Sequence, residues 1–185
     1  MRGFRPMAKA MTGVFTITTN LDLTTTGYTT AVIPIGSLID VGDAQALEIE
    51  QVDYQFQNHA TNTDLYEPLH PGGPLSADAS FGAQLMDRNA GTWLVASDNN
   101  LISSASVNYG YGDNIVTAAT DFFPDDFQKT NGRFVVNDEL YLVATTTAAT
   151  AANTALSVSI RVRAKVVKLS TRDWMAISLE TVQNE

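Results

Sequence analysis

The sequence predicts an all-β protein: a single jelly-roll β-sandwich of about eight strands, followed by a short C-terminal helix. Period-two alternation recurs along the chain while helical periodicity is nearly absent. Clusters of Gly, Pro and Asn separate the alternating runs at short intervals, which is the spacing of a sandwich rather than of strand–helix–strand units. A chain of 185 residues fits one domain, and one of that size can bury about 70% of its extended surface. The assignment is a basic N-terminal arm over 1–12, a jelly-roll domain over 13–169 and a short helix and tail over 170–185. The arm lacks an apolar core of its own and does not read as a secretory signal.

The elements follow in order. Gly13–Thr19 alternates, with Phe15 and Ile17 on one face. Tyr28–Ile35 is β-rich and closes at Pro34 and Gly36. Leu47–Phe56 is the best strand, but Leu47 and Ile49 share one phase while Val52, Tyr54 and Phe56 share the other. That slip near Glu50–Gln51 predicts a β-bulge. Residues 57–80 read as loop because Asn58, Asn62, Pro68, Pro71, Gly72, Gly73 and Pro74 punctuate them. Short strands are expected at Phe81–Met86, Thr92–Ala96, Ser104–Tyr109 and Asn114–Thr120. Asn131-Gly132 marks a tight turn before Arg133–Val136. Asn137-Asp138 is either a second turn or the interior of one long strand, since Phe134, Val136, Leu140 and Leu142 stay in phase. The Thr/Ala stretch Ala144–Ala155 reads as a loop, with a short helix as the alternative. Ala155–Leu169 is then the longest strand, with Leu156, Val158, Ile160, Val162 and Val166 on one face and Arg161, Arg163 and Lys165 on the other. Ser170-Thr171-Arg172-Asp173 resembles a capping box, introducing a helix that carries Trp174, Met175, Ile177, Leu179 and Val182.

The net charge of −9 arises from scarce bases rather than abundant acids, since only four residues are lysine and 17% of the chain is charged. Threonine fills the gap with 22 residues. Residues 1–9 carry +3, residues 10–160 carry −14, and residues 161–185 carry +2. An acidic body therefore has basic ends. Cysteine is absent, which excludes disulfide frameworks, thiolate metal sites and cysteine nucleophiles.

Catalytic constellations are weak. His59, Asp64, Glu67 and His70 include enough donors for a metal, but their spacing matches no ligand motif, and solvated or locally hydrogen-bonded loop residues explain them better. No Gly-x-Ser-x-Gly elbow and no phosphate-binding glycine loop occurs. Glu48 and Glu50 alternate with Leu47 and Ile49, so a solvent-facing strand face explains them better than a glycosidase pair. Asp121-Phe-Phe-Pro-Asp-Asp-Phe127 could bind a cation or present an aromatic contact, but a loop that tucks Phe122 or Phe123 into the sandwich end explains it better, with Phe127 a candidate subunit contact. Arg2, Arg5, Lys9, Arg161, Arg163 and Lys165, with Lys168 and Arg172 in the same basic ends, are either a solvated face or a basic surface for a membrane or partner. No stacking motif accompanies them, so specific nucleic-acid binding is not expected. Trp93, Tyr109, Tyr111 and Trp174 are the aromatic inventory of an alternative function, a carbohydrate- or receptor-binding β-sandwich of a viral or cell-surface appendage.

The basic arm, the Gly13–Thr19 strand, the eight-strand body, the Asn137–Val143 segment and the final basic strand together resemble a known family. It is the smaller major capsid protein of halophilic, tailless icosahedral archaeal viruses with an internal membrane, the halosphaerovirus or sphaerolipovirus type. The resemblance covers essentially the whole chain. It implies a structural virion protein without catalytic, cofactor or metal residues, forming an icosahedral shell. Its partners would be further copies of itself and a larger single-jelly-roll capsid protein. It also implies that the basic base, including Arg2, Arg5 and Lys9, lies near lipid headgroups. An acidic body suits molar salt, where the screening length falls to about 3 Å.

Overall fold

The structure is a computed structural model that describes residues 8–70, 75, 77–113, 115–118 and 132–182. Its strands are β1 (Lys9–Ala10), β2 (Phe15–Leu23), β3 (Gly27–Pro34), β4 (Gln45–Ala60), β5 (Leu65–Pro68) and β6 (Ala79–Met86). They continue with β7 (Leu101–Gly110), β8 (Ile115–Ala118), β9 (Arg133–Val135), β10 (Glu139–Thr146) and β11 (Thr154–Lys168), and the chain turns into α1 (Thr171–Val182).

All pairings are antiparallel. In one sheet β11 lies between β2 and β4, with β1 extending the β2 row and β5 and β9 both flanking β4. The other sheet runs β3-β10-β6-β7-β8. If β2, β3, β4, β6, β7, β9, β10 and β11 are taken as first to eighth, the sheets read 1-8-3-6 and 2-7-4-5. That order is the double Greek key of a jelly roll. The fold class read from the alternation is therefore what the strand order shows.

The core lies between the two inner faces, where Leu47, Ile49, Phe81, Leu142, Val158 and Ile160 are essentially inaccessible. Alternation places them there because residues two apart share a face. The bulge is found where the phase slip predicts it. Arg163 pairs with Gln51 and Ala164 with Ile49, leaving Glu50 as the extra residue. The bulge turns Glu50 into a buried position, so the expectation of a solvent-facing glutamate fails there.

Other expectations are corrected. β4 extends to Ala60 and is the longest strand at 16 residues. Residues 57–80 are thus not one loop: they hold the end of β4, all of β5 and the start of β6. Asn58 and Pro68 do not break the ladder, since β5 is an edge strand. Thr92–Ala96 is not a strand; Leu94 instead bonds the Gln84 side chain through both its N–H (2.9 Å) and its carbonyl (3.0 Å). Residues 87–100 fold back on the outer face of the second sheet, where Leu94 packs with Met86, Leu101 and Val143. Trp93 lies over Gly82, where a Cβ would come 2.7 Å from the indole. Asn137-Asp138 resolves as a crossing, because β9 belongs to one sheet and β10 to the other. The Thr/Ala loop shrinks to residues 147–153 between β10 and β11.

The helix begins as its sequence signal predicts. Ser170 Oγ accepts from Asp173 N–H at 3.1 Å. Trp174 and Ile177 cover Ala46, Val136, Val167 and Leu169 on the outer face of the first sheet, while Met175 and Leu179 are exposed.

Candidate functional site

Strand directions sort the molecule into two ends. α1, β1, the 35–44 and 87–100 connections and the β9–β10 crossing share one end, called here the helical end. The 24–26, 61–64 and 147–153 connections, residues 77–78 and the β7–β8 turn share the distal end.

Charge follows that division. Among the described residues, Asp22, Asp64, Glu67, Asp78 and Asp113 lie at the distal end, with no Lys or Arg beside them. Arg161 sits midway along β11; Lys9, Arg88, Arg133, Arg163, Lys165, Lys168 and Arg172 lie toward the helical end, together with Asp40, Asp43, Glu48, Glu50, Asp87, Asp98, Asp138, Glu139 and Asp173. The distal end is thus uniformly acidic among the described residues, while the bases gather toward the helical end among carboxylates.

The bases of β11 occupy a central strand, not an edge. Lys165 Nζ bonds Glu50 at 2.9 Å and lies 3.3 Å from Glu48. The hydrogen bond from Glu50 raises the lysine's pKa, burial opposes it and Glu48 adds to the rise. Arg163 Nη1 donates to Gln51 Oε1 at 3.2 Å. Arg161 is exposed, opposite Asp53 in register. Lys9 is exposed and lies opposite Lys168, which is paired with Asp43. Arg172 is exposed in the first turn of α1. Among these bases Lys9 and Arg172 are exposed, while Lys168 is half-buried and paired; all three belong to the basic surface that the sequence marks, with Lys9 alone singled out as a site residue. Arg2, Arg5, Phe127 and the Asp121–Phe127 run lie outside the described residues.

One buried polar network at the helical end has no local sequence signal. Arg133 Nη2 meets Asp87 Oδ2 at 2.9 Å and donates to the Asn99 carbonyl. Asn137 Nδ2 donates to the Asp87 carbonyl at 2.6 Å, and Asp87 N–H donates to Asn100 O at 3.1 Å. Burial raises the Asp87 pKa while the Arg133 charge and hydrogen bond pull it back. The network ties the 87–100 connection to β9 across 46 residues of sequence.

At the distal end His59 is held on both ring nitrogens. Nδ1 is 2.6 Å from Asp22 and Nε2 is 3.2 Å from Asp64, while Tyr66 stacks on the ring at 4.1 Å. Burial, then Asp22 and Asp64, raises the Tyr66 phenol. His70 lies 3.4 Å from Glu67. The carboxylates bracket opposite sides of the imidazole instead of converging with it, and no group of three metal-binding side chains occurs among the described residues. A recess of about 550 Å³ opens at the distal end of the second sheet, lined in part by Asp78, Asn108, Tyr109, Asp113, Ile115 and Thr117. Asp78 Oδ1 accepts from the Tyr111 N–H at 2.8 Å and so shapes its rim. The four candidate aromatics form no common platform: Tyr109 is buried at the distal end, Trp174 packs under α1, and Trp93 lies on Gly82.

Neither a family model nor a curated protein matches the chain. Among solved structures it is similar to VP1 of Trichodysplasia spinulosa-associated polyomavirus in complex with 3'-sialyllactose. Identity there is 8%, over 89% of this chain and 98% of that one, with a TM-score of 0.47. It is also similar to Desmodium yellow mottle tymovirus at 12% identity, covering 85% and 89% of the two chains, TM-score 0.36. An unassembled VP1 pentamer of Washington University polyomavirus is similar at 11% identity, covering 83% and 93%, TM-score 0.36. At such distances the jelly-roll assignment stands on the strand order of the chain itself.

Proposed function

We propose that this chain is a structural subunit of a viral shell, located in the virion capsid and acting by association rather than catalysis. The observation that carries this reading is the unequal ends of the jelly roll: carboxylates without Lys or Arg at the described distal end, and bases interspersed with carboxylates at the other, where Lys9 and Arg172 are exposed. A wall subunit standing upright needs two unlike ends, one toward solvent and one toward a phosphate-rich layer. Fold alone does not assign function, so the unequal ends and the sequence resemblance supply the rest of the support.

The finer reading follows the resemblance. The virus is of the halophilic archaeal type, the companion is a larger single-jelly-roll protein, and the helical end faces an internal membrane. Arg2, Arg5 and Lys9 would serve that base, with Lys168 and Arg172 beside them. Arg161 and Arg163 would serve a flank, and Phe127 a neighbouring subunit. Lys165 is less available because Glu48 and Glu50 neutralise it.

Electron microscopy of the purified chain with virion components tests the subunit reading. Shell fragments or capsomers support it, and a chain that stays monomeric in low and molar salt opposes it. Flotation with anionic vesicles tests the base: binding that Lys9→Glu and Arg172→Glu abolish supports membrane apposition. The distal recess favours a second reading, a receptor-binding module for neutral glycans. Its carboxylates accept from sugar hydroxyls and repel anionic sugars. A glycan array without binders removes it.

A further inference from the structure

We propose that β3 pairs antiparallel with β3 of a second copy about a two-fold axis at Thr30, continuing the second sheet across the contact. β3 has β10 on one side and, among the described residues, no strand on the other. An unpaired edge is a template for another chain, and proteins usually blunt it with charge, bulges, proline or brevity. β3 uses none of these within its length. Its eight residues, Gly-Tyr-Thr-Thr-Ala-Val-Ile-Pro, carry no charge, and proline comes only last. The register with β10 runs from Gly27–Thr146 to Pro34–Glu139 without a shift. By contrast, the strands flanking β4 are β5 and β9, of four and three residues, and β8 at the far edge of the second sheet has four, while β2, the long outer strand of the first sheet, carries the charge of Asp22.

The strand also complements itself. Tyr28 and Val32 lie on the outer face, four residues apart, 51% and 49% exposed, with Thr30 between them. A two-fold antiparallel register centred on Thr30 places each Tyr28 opposite the other copy's Val32, and Thr30 opposite Thr30. Aromatic–β-branched and Thr–Thr pairs are the favourable cross-strand combinations. A centre at Ala31 puts Tyr28 against Pro34 instead, and a centre at Thr29 carries Val32 past the strand's start. An isologous contact of this kind closes on itself and yields a dimer, not a fibre. The occupant is thus a second copy. The inference names one contact within the self-association proposed above.

The chain has no cysteine, so an introduced thiol reports cleanly. Directly opposed antiparallel residues have Cα atoms about 4.5–5.5 Å apart, within disulfide range. Thr30→Cys should therefore oxidise to a covalent dimer, while Thr117→Cys on the β8 edge should not. Val32→Lys, and Tyr28→Glu as a second variant, should weaken dimerisation of the otherwise native chain at least tenfold in sedimentation velocity, with circular dichroism confirming the fold. A Thr30→Cys chain that stays monomeric under oxidation, or cross-links no better than Thr117→Cys, overturns the proposal. Wild-type dimers that both edge variants leave unchanged overturn it too. A dimer that cross-links at Thr30 but never enters shells sustains this contact and removes the capsid reading.

Discussion

Replacing Arg133 by Met tests the buried network that fixes the helical end. Asp87 is 3% exposed and Arg133 29% exposed, so the substitution leaves a buried carboxylate without its cation. Breaking a buried pair from one side costs about 3–5 kcal/mol. The part-exposed guanidinium places this case near the lower figure, about 3 kcal/mol. At about 2–4 °C per kcal/mol for a domain of this size, the melting temperature should fall by about 6–12 °C. The pH dependence carries the sign. Burial raises the Asp87 pKa in the folded protein above its unfolded value. Its relative contribution is therefore most favourable below the unfolded pKa and is lost as pH rises through the folded one. Removing Arg133 takes away the opposing pull, so the variant's deficit should be largest at pH 7–8 and shrink on acidification. Asp87→Asn/Arg133→Met should recover part of the loss by removing the charge. Urea unfolding followed by tryptophan fluorescence reads this directly, because Trp93 lies in the connection that Asp87 anchors. A deficit below about 1 kcal/mol, or one that is the same at pH 5 and pH 8, would refute the reasoning.

Further outcomes are expected. Gly82→Ala places a Cβ 2.7 Å from the Trp93 indole, so the ring must shift, at about 1–3 kcal/mol in denaturant melts and with altered tryptophan emission. Ser170→Ala removes the cap on Asp173 N–H and should cost about 1 kcal/mol by thermal melting. Lys165→Gln leaves Glu48 and Glu50 facing each other and should destabilise the fold at neutral pH. The wild-type lysine's raised pKa means its contribution lies fully in place below the unfolded value and fades as pH rises through the folded one. Comparing urea midpoints of wild type and variant across pH reads both effects. Raising salt from 0.1 M to 2 M should strengthen association in sedimentation velocity, by screening the carboxylates at the distal end.

How much of this was legible in the sequence depends on whether the signal is local. Alternation found the inner faces of β2, β4, β10 and β11, because a two-residue period needs no knowledge of the partner strand. The bulge at Glu50 was readable for the same reason, as a phase slip within one strand. The buried fate of Glu50 was not, since it depends on Lys165 more than a hundred residues away. β5 was hidden because an edge strand tolerates the prolines and asparagines that mark loops. Thr92–Ala96 looked like a strand because it is apolar, but its partner is the Gln84 side chain rather than a neighbouring ladder. The charge distribution was half legible: segregation along the chain was visible, while the strand directions that bring Lys9 and the end of β11 to one end, together with nine carboxylates, were not.

The central claim is that an upright jelly roll with two unlike ends acts as a wall subunit. Sedimentation velocity of the purified full chain from 0.1 to 3 M NaCl, with electron microscopy of the fastest fraction, addresses it most directly. The account predicts dimers and larger capsomer-like particles whose population grows with salt. A single monomer boundary at every salt concentration and every protein concentration would contradict it.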